Sequence, residues 1–130
     1  MKANTREWIK KAEADFTSAK REARARKNPN YDAACFFCQQ CMEKYLKARL
    51  VEADIPFPKT HDLEVLLDLV VSEQPFWESL RPQLAELTGY ATAFRYPGES
   101  ATRSICTAAV RNAVLLRKQI RADMRLPLNE

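Results

Sequence analysis

The chain has 130 residues and a net charge of +4, from 21 basic and 17 acidic side chains, with 46% hydrophobic and 29% charged residues. That is the size and composition of one ordinary folded domain spanning 1–130, not of a disordered chain. Its two glycines, Gly89 and Gly98, argue against a many-turned β protein and against any glycine-rich phosphate loop.

A chain of this length buries roughly two-thirds of the surface that its unfolded form exposes, so it needs no staple. No apolar run approaches the ~18 residues of a membrane span. The start is charged at Lys2, Arg6 and Glu7 and lacks a signal-type apolar stretch. These features lead us to expect a soluble, cytoplasmic protein with no membrane association. In that compartment Cys35, Cys38, Cys41 and Cys106 are free or metal-bound rather than bridged.

The sequence predicts five helices punctuated by prolines. The first covers about 5–27. Asn4 and Glu7 have capping-pair spacing, and Trp8, Ile9, Ala12, Phe16, Ala19 and Ala23 share one stripe. Lys20, Arg21, Arg24, Arg26 and Lys27 crowd its last turns, where cations suit the helix dipole. Asn28-Pro29-Asn30 ends it. The second covers about 31–53, with Ala34, Cys35, Cys38, Cys41, Met42, Tyr45 and Leu46 as its main stripe. Phe36 and Phe37 fall outside that stripe, so the first half is apolar nearly all round. A bundle interior plus a second copy of the chain would bury such a helix.

The third helix covers about 61–73, with Leu63, Leu66, Leu67, Val70 and Val71 as core. The fourth covers about 80–95, and Pro82 must fall in its first turn or at a break, because an interior proline costs about 3 kcal/mol. Leu80, Leu84, Leu87, Ala91 and Phe94 face one way. The fifth covers about 100–124, capped near Glu99 or Ser100, with Ile105, Ala109, Ala113, Leu116 and Ile120 as its stripe. Short connections imply antiparallel neighbours. The expected fold is all-α, an up-and-down four- to five-helix bundle.

Four groups of residues carry chemistry. Cys35, Cys38 and Cys41 have a C-x2-C-x2-C spacing, but on a straight helix their thiols fan over about 120°, too wide for one ion. A ferredoxin-type run also needs a nearby fourth cysteine followed by proline. Core packing is the expectation, with no metal or other cofactor. His61 is the only histidine, which excludes any intramolecular site needing several. It serves either to cap and pack the third helix or as a polar group at the mouth of a site.

On the fifth helix Arg103, Arg111, Lys118, Arg121 and Arg125 share an arc opposite the core stripe, with Arg117 beside them. That arc is either a solvated face or a surface for nucleic acid or an acidic partner. No aromatic residue interleaves it, which disfavours a stacking platform for single strands. Finally, Tyr90 and Arg95-Tyr96-Pro97-Gly98 precede the fifth helix. Arg95 either clamps an anion at that helix start or ties the turn to a neighbouring carboxylate.

An ordered set of short stretches resembles the HEPN family of prokaryotic nucleotide-associated helical domains. It consists of Tyr31 to Phe36, Gln39-Gln40, Glu43 to Ala48, Thr60-His61-Asp62-Leu63, Leu87 to Tyr90 and Arg95-Tyr96-Pro97. The resemblance implies a helical bundle, usually a homodimer. It also implies a frequent partner, a small nucleotidyltransferase in a toxin–antitoxin-like pair. Many members are metal-independent ribonucleases with an Arg-x4–6-His motif near the start of the last long helix. There the histidine serves as acid or base and the arginine holds phosphate.

The chain departs from that motif: Arg95 is suitably placed, but Ser100, Ala101 and Thr102 stand where the histidine would be. Two functions follow as expectations. One is a non-catalytic subunit that associates with nucleotide or RNA and with a nucleotidyltransferase. The other is a divergent ribonuclease using Arg95 with His61. The catalytic residues are unassigned. The candidate anion or nucleotide site is Arg95, Tyr96, His61 and Ser100, the basic surface Arg103, Arg111, Lys118 and Arg121, and the dimer contacts Phe36 and Phe37.

Overall fold

Residues 1–128 are described in the computed structural model of the chain. The first helix, α1, is Ala3–Arg24. Asn4 and Glu7 lie inside it and form no cap. The cap position, Lys2, is anchored from outside: its N–H donates to Glu52 Oε1 (3.0 Å), which also accepts from Thr5 Oγ1 (2.8 Å). A carboxylate from the end of the next helix thus does the work expected of a local capping pair. The helix ends at Arg24, three residues before the expected limit, and Asn28 turns the chain with φ +49°.

The second helix, α2, is Tyr31–Glu52, with the Asn30 side chain accepting from Ala33 N (2.9 Å). The third, α3, is Leu63–Val71. Asp62 caps it at the amides of Glu64 (2.9 Å) and Val65 (3.4 Å).

The expected fourth helix over 80–95 is instead three pieces. A 3-10 segment, Pro75–Leu80, leads into α4, Arg81–Thr88, with Pro82 in its first turn, and a second 3-10 turn follows at Gly89–Ala91. Two effects end α4 early. Thr88 Oγ1 accepts from Leu63 N (2.8 Å) and pins the helix end to the start of α3, and Gly89 is a weak helix former. The last helix, α5, is Arg103–Asp123, three residues later than expected. Asp32 Oδ1 captures the Ala101 amide at 2.6 Å, so Thr102, not Ser100 or Glu99, is the cap, accepting from Ile105 N (3.1 Å).

The chain is the expected all-α bundle, but its neighbours are not all antiparallel. Instead α2 and α3 run parallel, joined by the extended connection 53–62, so that Gln39 meets the His61 carbonyl before α3 (2.8 Å) and Arg49 meets Gln74 after it (3.1 Å). The Thr88–Leu63 and Asp32–Ala101 bonds put the starts of α2, α3 and α5 at one end, with the finish of α4. The other end gathers the start of α1 and the finish of α2 through Lys2, Thr5 and Glu52. The helix α2 is central, packed against α1, α3 and α5. Cys35, Cys38, Cys41, Met42, Tyr45, Leu46 and Leu50 are fully buried along it. The all-round apolar character of α2 is therefore met largely within one chain. Phe36 and Phe37 stay half-buried, edge to face at 5.8 Å, and of the two only Phe37 packs on the core.

Apart from half-buried Trp8, Ala23, Val71, Phe94 and Ile105, every stripe residue named above is in the core. At ~25 cal/mol per Å2, each fully buried leucine contributes roughly 1.5–3 kcal/mol.

Candidate anion-binding end of the bundle

Glu43 lies in the middle of α2 and is buried. Its carboxylate accepts from four side chains. Lys47, one turn on, reaches Oε2 at 2.9 Å, and Gln39, one turn back, reaches Oε1 at 3.2 Å. Gln40 Nε2 is 3.4 Å from the same oxygen, and His61 Nδ1 lies 2.9 Å from it. Burial would raise the Glu43 carboxyl, but the bonds from Lys47, His61 and Gln39 outweigh it and hold the group below the usual carboxylate range. Lys47 also sits over the rings of Trp8 (5.6 Å) and Phe57 (5.8 Å), which adds a cation–π contribution to its pairing.

The ring of His61 is 68% exposed although its Nδ1 is held, and Gln39 Nε2 fixes the His61 carbonyl at 2.8 Å. This leaves Nε2 as the nitrogen available to anything outside. Of the two roles open to His61, the structure assigns the helix cap to Asp62 and seats His61 beside it, on the α2 carboxylate.

The loop after α4 lies at the same end. Tyr90 and Phe94 stack at 5.8 Å, and Phe94 takes a φ of +64°, a strained value for an aromatic residue. Beyond it Arg95 is exposed, one guanidinium nitrogen donating to the Ala91 carbonyl at 3.0 Å. Of the two roles open to Arg95, the tie to a carboxylate is not what holds the turn: the acceptor is the Ala91 carbonyl. Tyr96 is 72% exposed. Ser100 is exposed on a shallow cleft of about 310 Å3 shared with Asn30, Tyr31 and Asp32. The Ala101 amide just before α5 already has Asp32 as its acceptor, so part of the expected anion position is filled by the protein's own carboxylate.

The basic arc of α5 needs correcting. Arg103, Arg111, Lys118 and Arg125 are exposed, but Arg121 is only 2% exposed and Arg117 is buried as well. Both point into the seam with α1. Arg117 grips Glu13 with two bonds (2.8 and 2.7 Å) over the Phe16 ring (4.7 Å). Arg121 donates to Tyr45 Oη at 2.9 Å and to the Pro127 carbonyl at 2.6 Å, and Tyr45 in turn donates to Glu13. Burial pushes the Glu13 carboxyl up, but its bonds from Arg117 and Tyr45, with the charges of Arg117 and Arg121, bring it below its ordinary value.

The sequence reading placed Arg121 opposite the core because α5 is amphipathic. It missed Glu13, whose charge draws both arginines inward. Glu43 was missed as a centre too, although Gln39, Glu43 and Lys47 at i−4, i and i+4 are the legible sign of one polar row.

The thiols are buried. Burial raises those of Cys35 and Cys38 to about 12 and lifts Cys41 and Cys106 as well. Among the described residues, no group of three or more His, Cys, Asp or Glu side chains could hold a metal ion. No helix is long and apolar enough to cross a membrane.

A helical bundle with a buried glutamate under a lone histidine, and a Tyr-to-Arg-Tyr-Pro loop at the same end, defines a class of helical domain, and comparison gives it a name. The HEPN domain model matches residues 5–121, and the chain belongs to that family. It is also similar to the crystal structure of an archaeal HEPN homologue, with a TM-score of 0.72, 22% identity and coverage of 95% of this chain and 98% of that one. At that identity the likeness is one of fold. No curated protein matches.

Proposed function

We propose that the chain is a non-catalytic HEPN subunit that holds the phosphate of a nucleotide or RNA at the end where α3 and α5 begin. In this reading it acts as the helical partner of a small nucleotidyltransferase in a toxin–antitoxin-like pair. One observation carries the reading: among the described residues the exposed Arg95 has a carbonyl as its one hydrogen-bond partner, in the loop that follows α4 at the end of the bundle where α3 begins. A guanidinium with free donors is a phosphate ligand in search of an anion. The Arg-x4–6-His motif is absent from the sequence, and general acid–base help is worth about 10²–10⁴-fold, so the reading omits RNA cleavage. Phe36, half-buried at the edge of α2, is the proposed centre of a homodimer contact.

A second reading has one observation in its favour. The Glu43–His61 pair, with Nδ1 on the carboxylate and the other nitrogen outward, resembles the way a base is oriented in hydrolytic sites. Titration calorimetry with ATP tests the first reading. We expect binding that weakens roughly tenfold or more in Arg95→Ala, the loss of a charge-assisted contact. Unchanged affinity in that variant would overturn the site. Release of RNA fragments by the wild type, lost in His61→Ala, would establish the second reading instead.

A further inference from the structure

The seam between α1 and α5 brings together two rows of cations that lie far apart in sequence. Glu13 and Arg117 mark where the two helices touch. On α1, Arg6, Lys10, Arg21 and Arg24 fall on the solvent side of that seam, within about 60° of arc. On α5, Arg103, Arg111 and Lys118 do the same within about 80°. All seven are exposed. None pairs with a carboxylate among the described residues. The helices run antiparallel, so Arg24 comes level with the first turn of α5 and Lys10 with its last. Each row is roughly 20–27 Å long at 1.5 Å per residue.

Within the seam itself Glu13 is already shared by Arg117 and Arg121, so that carboxylate is not available to the exposed rows. No aromatic side chain stands on the exposed arcs; Thr17 on α1 and Thr107 on α5 do, both exposed, with the apolar Val114 between the α5 cations.

We infer that this two-helix face binds duplex RNA along its phosphate backbone, without reading sequence. Two rigid rows of unpaired cations match a polyanion of fixed shape, since phosphate neutralisation gives affinity without base contacts. The lack of aromatic platforms disfavours single strands. Hydroxyls interleaved with the cations suit the 2′-hydroxyls of a shallow RNA minor groove. The inference extends the nucleotide-associated reading but uses a different surface from Arg95.

Fluorescence anisotropy with a labelled 20-base-pair RNA duplex across a salt series tests it. With four to six phosphates neutralised, log affinity should fall against log salt with a slope of about −4 to −5. The double variant Arg21→Glu/Arg111→Glu should weaken binding at least tenfold and reduce the slope by about 2. Lys11→Glu, on the far side of α1, should change neither by comparison, and Arg95→Ala should leave both intact. An equal loss in Lys11→Glu would overturn the face, as would absence of binding at 50 mM salt. Equal affinity for duplex DNA or tighter binding of single strands would overturn the duplex-RNA assignment. Loss of ATP binding in Arg95→Ala with RNA binding retained would separate the two sites.

Discussion

The two sides of the bundle treat their cations oppositely. Around α3 and the segment before α4, every arginine is claimed. Arg81 alone meets Asp68 (2.5 Å), Glu78 (2.5 Å) and Glu64 (3.3 Å), which pushes its guanidinium pKa further up, chiefly through Glu78 and Asp68. Nearby, Arg49 meets Glu73 and Asp123, and Lys2 meets Asp54. Across the molecule, the α1–α5 face carries seven exposed cations that pair with no carboxylate among the described residues. The positive charge behind the net +4 is thus densest on that face, although exposed Lys11 and Arg95 lie outside it. Exposed ion pairs contribute little stability. Their absence from one face is therefore a statement about what that face meets, not about what holds the fold together.

The interior of the same charged face gives the largest expected effect. Glu13→Ala removes the carboxylate that Arg117 and Arg121 share inside the seam, and breaking a buried ion pair by removing one partner costs about 3–5 kcal/mol. Against a total stability of about 5–15 kcal/mol, denaturant titration should show a domain on the edge of unfolding. A loss under about 1 kcal/mol would mean that water reaches both arginines and that the seam is not a closed part of the core.

Glu43 comes next and adds a pH signature. Its folded-state carboxyl lies below the ordinary value, so its contribution is complete above the unfolded value of about 4.3. It is lost as pH falls through the folded value. Glu43→Gln keeps the shape but strands Lys47, costing about 1.5–3 kcal/mol at neutral pH, the worth of a hydrogen bond to a charged group. Melting curves of the two proteins should differ at pH 7, and the gap should begin to close as pH falls below the unfolded value of about 4.3. A constant gap down to pH 3 would show that the pair contributes through packing alone.

How much of this was legible in the sequence depends on the range of the interaction. Helix stripes such as Ala34 to Leu46 on α2 were readable because apolar periodicity is local, whereas the parallel course of α2 and α3 was not, because the 53–62 connection runs back along α2 instead of turning at its end. The ends of the helices were not. The start of α1 is set by Glu52, that of α5 by Asp32, and the end of α4 by its tie to Leu63, all partners from 25 to 69 residues away in the chain. The site divided the same way. His61, Arg95 and Tyr96 were readable as residues of the right type in suitable loops. The inward turn of Arg121 was not, because it answers a carboxylate on another helix. The pairing of α1 and α5 cations into one face needed the fold.

The smallest expected effect separates the two sides most sharply, because salt should act on them with opposite signs. Arg81→Ala removes the cation that three carboxylates share, so those acids repel one another. The resulting fall in melting temperature should be greatest at 10 mM salt and shrink toward nothing at 1 M, where the Debye length contracts from 30 to about 3 Å. Arg111→Gln removes one of several like charges instead and should raise the melting temperature slightly at low salt. That gain should vanish over the same range. Both changes are at the surface, where substitutions have small effects, so the sign and its salt dependence are the readout rather than the size. If Arg111→Gln lowered stability at low salt, the guanidinium would have a partner within the fold, and the contrast between a neutralised and a bare side would fail at that residue.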